Sequence, residues 1–451
     1  MLAGRTPLWR LFAVVAAAGA LVPATGPVRD YDVYWHVRLG NLILRTRRLP
    51  TRELWDFPAA GRPWVAHSWL SDVVLALAQR AGWGGVVVLR LALGAALLAL
   101  LARHVVRGSD AVVGPVVFAV AALGLAPAIL ERPQLFALVL LAALLPLLDR
   151  ARAGTAPHWL AAAALGWLWA SLHGSWPLLP AAFVLTAVLT RSRGLVLAAL
   201  AAVAGAALTP AGPALLTRPY VVSRAAGSLA EWQPPVLWRP ALVPFVLLVT
   251  ALVVAWARGG RPVPRGEMVW CAAVVAAALS AGRNVSFATV LLAPIVARRI
   301  SALVPEGRRS TLPRWTLAVA GAVGVLVLGA LYAANPRLPT DAPRDLVATL
   351  RAHPGDARVL NSYNVGGYLT GLGGDDVSAA VDGRIDAFPA GFLDRYRAAM
   401  DLRGDWAGLV DELDPTHALL EADVPLAHAL ENERGWRRLG ADGTFVLLAA
   451  P

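Results

Sequence analysis

Lysine is absent from this sequence, cysteine occurs once, and only 16% of the residues are charged. Each scarcity excludes something. A single thiol, Cys271, set in an apolar run, can build neither a disulfide framework nor a cysteine metal site within one chain. So few charges beside 57% hydrophobic residues, over 451 positions, exclude an ordinary soluble enzyme and any disordered or collagenous class. With no lysine, all 41 basic residues are arginine, and against 29 acidic ones they give a net charge of +12. Such basicity ordinarily suggests nucleic acid, but its distribution here argues otherwise. From Pro336 onward eleven arginines face eighteen acidic residues (−7), whereas the preceding part has thirty against eleven (+19). The positive charge belongs to the apolar part, where it borders lipid headgroups, and no nucleic-acid partner is expected.

What is present is a series of apolar runs near the roughly 20 residues that a bilayer requires. They fall at 11–25, 84–102, 111–130, 134–148, 158–172, 176–190, 194–209, 240–257, 267–282, 284–300 and 315–333. The fold class expected is a polytopic α-helical membrane protein of about eleven transmembrane helices (residues 1–335) with a C-terminal extracytoplasmic α/β domain (336–451). The first run also fits a cleaved signal peptide, although the many later spans favour a helix. Arginine marks alternate connections, at Arg103 and Arg107, Arg150 and Arg152, Arg191 and Arg193, Arg258 to Arg265, and Arg298 to Arg314. These predict an N-terminus in the cytoplasm and a tail outside. One connection dissents: the first outer loop, 26–83, is itself rich in arginine. Abundant alanine and arginine without lysine is the composition of a high-GC bacterium, so the bacterial cytoplasmic membrane is the expected location.

The outer ends of the spans collect the unusual polar residues. In the first loop, Asp30 and Asp32 precede Trp35, His36 and Arg38, with Arg45 beyond. Two carboxylates two residues apart, with an imidazole four further on, suit a general base or a divalent cation, Mg or Mn. A solvated loop with interfacial aromatics is the plainer alternative. The loop continues through Trp64, His67, Trp69 and Asp72 into an amphipathic run ending at Arg80, too short to span and read as a helix in the headgroup plane. Later outer connections add Glu131-Arg132-Pro133, His173-Gly174 and Glu231-Trp232-Gln233, which could converge over the first loop or pair locally. In the tail, Asn361, Tyr363, Asn364 and the pair Gly366-Gly367 follow one expected strand, read as a glycine-rich turn. Asp382, Arg384 and Asp386 follow the next, as a ligand site or an ion-paired turn.

The D-x-D-x-x-W-H stretch, Glu131-Arg-Pro, His173-Gly, Glu231-Trp-Gln-Pro-Pro, Asn361-x-Tyr-Asn-x-Gly-Gly-Tyr and Asp382-Gly-Arg-x-Asp together resemble GT-C glycosyltransferases, and more nearly a group of glycosyltransferase-like bacterial membrane proteins. The resemblance implies inverting transfer of a sugar from a polyprenyl-phosphate-linked donor to a glycan, lipid or protein acceptor outside the cytoplasmic membrane. On that pattern Asp30 or Asp32 matches the catalytic carboxylate, with or without a metal, and His36 stands beside it. Arg38, Arg45, His67, Asp72, Arg132, His173, Glu231, Gln233 and the tail residues would face substrates. Two rival readings are a transporter, and an assembly or sensing protein that uses the tail for binding. The mid-span positions are mostly Ala, Leu and Val, which disfavours the transporter.

Overall fold

The computed structural model describes residues 8–225, 229–259, 262–304, 342–352 and 355–451. In chain order the helices are α1 (Leu8–Leu21), α2 (Asp32–Thr46), α3 (Trp69–Gln79), α4 (Trp83–Val106), α5 (Val113–Leu125), α6 (Pro133–Arg152), α7 (Trp159–Leu172), α8 (Leu178–Thr190), α9 (Arg193–Ala207), α10 (Arg218–Ala225), α11 (Val243–Arg258), α12 (Arg265–Ser280) and α13 (Val285–Ser301). The tail runs α14 (Arg344–Ala352), β1 (Ala357–Asn361), α15 (Tyr363–Leu372), β2 (Val377–Ala379), α16 (Phe392–Met400), α17 (Trp406–Leu413), β3 (His417–Glu421), α18 (Pro425–Asn432), β4 (Arg437–Ala441) and β5 (Phe445–Ala449).

The chain forms two compact units. One falls within 1–27, 84–209 and 229–337, the other within 28–83, 210–228 and 338–451. The boundary expected at 335/336 lies outside the described residues. The first outer stretch, expected as a loop of the membrane part, folds with the tail.

The first unit is helical. Ten of the eleven expected apolar segments are helices, and 315–333 lies outside the described residues. By length and apolarity Trp83–Val106, Pro133–Arg152 and Pro240–Arg258 can each cross a bilayer. The other described helices of this unit have 13 to 17 residues, so among the described residues these criteria identify three spans. Small residues set the closest packing: a methyl group on Gly166 of α7 would overlap the Ala202 carbonyl of α9, and one on Gly205 would overlap that of Ala163. Apolar helices in lipid gain little from hydrophobic burial against one another, so close backbone approach supplies the attraction. The arginine-bearing helix ends meet one another. Asp149 at the end of α6 accepts from His104 of α4 (2.9 Å) and Arg298 of α13 (3.2 Å), while Glu267 of α12 pairs with Arg299 of α13 at 2.6 Å.

The second unit is built on a five-stranded sheet of order β2-β1-β3-β5-β4. β1 pairs in parallel with β2 and β3, and β3 and β4 flank β5 antiparallel. The β4–β5 hairpin turns at Asp442-Gly443, where Asp442 Oδ1 accepts from Phe445 N (2.7 Å) and Gly443 takes φ +90°. β5 is buried along its whole length and β1 almost so, as strands covered on both faces should be. The edge at β2 is capped by a parallel bridge from Asp56 to Ala379, so the first outer stretch supplies cover that an open edge lacks.

Candidate functional site

The stretch expected as a loop around Asp30 and Asp32 is the N-terminus of a 15-residue helix, α2. Asp30 Oδ1 accepts the Asp32 backbone N–H (3.0 Å), satisfying one of the donors that every helix start leaves unpaired. Asp30 is buried and Asp32 half-buried, with Gly383 of the tail against the Asp32 carboxylate. A Cβ at 383 would lie 2.5 Å from both carboxylate oxygens, so only glycine lets the chain pass here. The glycines of α15 act alike. A methyl on Gly367 would come within 2.6 Å of the Tyr31 carbonyl oxygen, one on Gly371 would overlap Tyr34, and one on Gly366 would overlap the Val381 carbonyl. The expected glycine-rich turn is therefore a helix whose glycines admit α2 on one side and the end of β2 on another. Tyr31, Tyr34, Tyr368 and Trp83 close the junction, with ring centroids 4.3–5.7 Å apart for Tyr34–Trp83, Tyr34–Tyr368 and Tyr31–Tyr368.

Beside this junction lies a fully buried ion cluster. Arg384 donates to both oxygens of Glu53 (2.8 and 2.7 Å) and to Asp382 (2.6 Å), with Asp56 at 3.2 Å. Its guanidinium sits 4.7 Å from the Trp55 ring centroid, and Trp35 and Trp64 lie at 5.7 and 5.6 Å. Burial works against the charge on Arg384, but Asp382, Asp56 and Glu53 outweigh it and raise the pKa. Three carboxylates around one cation are over-charged, and the excess falls on Asp56. Burial, then the charge of Asp382, pushes its pKa well above the usual carboxylate value, and Arg384 only partly opposes. Glu53 also accepts the backbone N–H groups of Leu54, Trp55 and Asp56 at 2.7–3.1 Å. Next to the cluster, Asp386 receives Trp64 Nε1 (3.3 Å) and Arg218 (3.2 Å).

The candidates divide by what they touch. Asp382 and Arg384 belong to this buried cluster, which makes the ion-paired turn the structural reading of that motif. Asn361 is fully buried, and its amide uses both donors, to Ser362 O and Val381 O, and both acceptor sites, from Ala380 N and Val381 N. It holds the sheet end together and has nothing left for a substrate. Asn364 is exposed, with Glu421 at 3.3 Å, and Tyr363 opens α15. His36, expected beside the catalytic carboxylates, is buried with Nδ1 2.5 Å from Asp72 of α3. This pair locks the two helices where Gly40 lets them approach. Burial raises the Asp72 pKa, and His36 and then His67 oppose it. Arg38 was expected to face a substrate. Instead it donates to Thr370 O (2.5 Å) and Asp375 (2.7 Å), and burial lowers its pKa. Arg45 is exposed in the last turn of α2.

The remaining candidates lie in the helical unit. Arg132 meets Glu231 at 3.1 Å, and Glu231 also faces Arg283 at 3.6 Å. Arg283 covers Trp232 (4.4 Å), and Gln233 O accepts from Gly282 N. His173 is engaged locally with Ser175 Oγ at 2.8 Å. Of the expected convergence, Arg132 and Glu231 do meet, whereas His173 keeps its own turn. Sequence reasoning passed over Arg90, which is buried. It donates to the carbonyls of Ala24, Gly26 and Pro27 and to Glu131 at 2.5 Å, and so fixes the chain that leads to Asp30. Its signal was a charge inside the apolar run 84–102.

A divalent cation on Asp30 and Asp32 needs further ligands. Among the described residues no three His, Cys, Asp or Glu side chains are so grouped. Two carboxylates, one already accepting a backbone N–H, fall short of the about six oxygens that Mg or Ca takes, so by themselves these residues do not fit the ion.

No protein-family model and no curated protein matches the sequence. Among solved structures, the chain is similar to the Archaeoglobus fulgidus oligosaccharyltransferase tethered through a disulfide bond to an acceptor peptide containing the NVT sequon. The TM-score is 0.55 at 12% identity, over 99% of this chain and 74% of that one. At such identity the likeness establishes the fold alone, a polytopic helical part with a C-terminal α/β domain.

Proposed function

We propose that this protein transfers a sugar from a polyprenyl-phosphate-linked donor to an acceptor on the outer side of a bacterial cytoplasmic membrane, with inversion at the anomeric carbon. The observation that supports the reading is the acidic pair at the start of α2, with the Asp32 carboxylate against Gly383 of the tail, in a chain similar in fold over 99% of its length to an oligosaccharyltransferase. In the proposed reaction the acceptor hydroxyl oxygen forms a bond to the anomeric carbon, and the bond from that carbon to the phosphate oxygen breaks. The electron pair leaves on the phosphate. Asp30 or Asp32 takes the hydroxyl proton, a role for which carboxylates serve as general bases. Arg45 stands in the last turn of α2, about 20 Å from Asp32 by the helix rise, too far to meet the leaving phosphate. His36, Asp72 and Arg38 act as positioning residues, since each is engaged inside the unit.

The assay is a surface glycan in cells that lack the native protein and carry each variant. Replacing both Asp30 and Asp32 by Asn keeps size but removes the proton acceptors, so glycan formation should fall roughly 10²–10⁴-fold at unchanged protein level. Full complementation by the double variant would overturn the catalytic assignment. Transport or sensing would leave sugar transfer untouched in every variant.

A further inference from the structure

The second unit carries a groove of about 890 Å³ that none of the residues discussed so far explains by its role in catalysis. Its apolar walls include Ile43 of α2, Leu49, Trp64 and, on α3, Trp69 and Val73, and its rim carries Arg47, Arg48 and Arg80. Among the described residues no acidic one lines it. Elsewhere in this unit Arg38, Arg218 and Arg384 are tied to carboxylates and Arg52 to a carbonyl. The three groove arginines are exposed, and among the described residues none of them has an ion pair. Arg47 moreover caps α2 in the left-handed region, φ 57°, where glycine would be less strained. Two helix C-termini close by contribute roughly half a negative charge each, which leaves an excess of about two positive charges.

Cations at the rim want an anion, and apolar walls flanked by two tryptophans want hydrocarbon. A soluble phosphate satisfies only the first. Covalent connection keeps the groove near lipid, because Arg80 stands three residues before the spanning helix α4 and Pro210, also in its lining, three after the end of α9. We propose that the groove holds an anionic phospholipid of the surrounding bilayer, its phosphate among Arg47, Arg48 and Arg80 and a hydrocarbon tail along Ile43, Trp69 and Val73. Guanidinium forks match phosphate oxygens in pairs, and amphipathic helices with aromatic and basic residues favour such lipids. This site is independent of the transfer reaction proposed above.

The test uses the full chain in detergent micelles, with native mass spectrometry after addition of phosphatidylglycerol or phosphatidylcholine. Phosphatidylglycerol should bind preferentially. The triple variant Arg47→Gln, Arg48→Gln, Arg80→Gln should lose that preference, each arginine counting roughly fivefold. Exposed arginines contribute little to stability, so the variant should unfold at the wild-type temperature. Equal binding of the two lipids, or an unchanged preference in the variant, overturns the proposal. So does one-for-one displacement by polyprenyl phosphate, which would make the groove a donor site. Equal competition by inorganic phosphate would make it a free-anion site and overturns it too.

Discussion

Arg384 shows how much one side chain can organise. Removing it would leave Glu53, Asp56 and Asp382 buried together without their cation, and breaking a buried pair from one side costs about 3–5 kcal/mol. Arg384→Met should therefore abolish stable folding of the second unit, read as rapid proteolysis of the tail in the full-length protein; proteolysis at the wild-type rate would show that the cluster is dispensable. Asp56 gives the same cluster a pH signature. Its pKa is raised in the folded state, so the folded protein holds a proton that the unfolded chain releases near pH 4. The stability this confers is complete below that pH and declines as pH rises through the folded-state value. In the full chain, the wild type should lose more thermal stability than Asp56→Asn as the pH is taken upward from about 4; parallel profiles would assign the slope elsewhere, first to Asp72, whose shift has the same sign. The sequence offered Asp382, Arg384 and Asp386 as either an ion-paired turn or a ligand site. Glu53 stood hidden, since 331 residues separate it from Arg384 and no local periodicity links positions so far apart.

At the level of elements, the two tail strands expected before the Asn361 and Asp382 motifs are β1 and β2, because alternation acts locally. The glycines misled. Gly366 and Gly367 suggested a turn from their own backbone freedom, whereas their reason is the close approach of α2 and Val381, which only the folded chain displays. The same blindness hid the helix after Asp30, where Asp32 and the run to Thr46 read as a loop. Close packing makes a prediction: Gly371→Leu puts a side chain where Tyr34 already lies, and overpacking of this kind costs typically about 1–3 kcal/mol. The α2–α15 contact should loosen, seen as faster amide exchange in Tyr34 to Arg38. A substitution to Leu at Gly61, which has open space around it, is the contrast for sterics, though its φ of +72° adds strain of its own. Unchanged exchange in Gly371→Leu would mean that the helices are not in contact as described.

For the whole molecule, composition alone gave a membrane protein with a polar tail, and arginine placement gave an order of inner and outer ends. Asp149 and Glu267 pair with arginines from neighbouring helix ends, so those ends gather in one place. A reporter active only outside the cytoplasm, fused after Pro451, should give signal; signal from a cytoplasm-only reporter would reverse the assignment of every candidate residue. What composition did not disclose is that residues 28–83 and the tail make one body. A boundary drawn where hydrophobicity changes follows the solvent that each segment meets, and two distant segments in the same solvent can fold together without any mark in the intervening sequence.

The bond between Glu53 and Arg384 has a consequence for synthesis. A ribosome adding roughly 5–20 residues per second needs on the order of 15–65 s to make the residues between them. Throughout that interval Glu53 and Asp56 lack the cation that permits their burial, and for most of it α2 lacks the helix α15 that seats it. The helices of the first unit can assemble in the meantime. The Asp32 carboxylate thus acquires its final surroundings only after Gly383 has emerged, and a chain stalled before that point would carry Asp30 and Asp32 in an unfinished site.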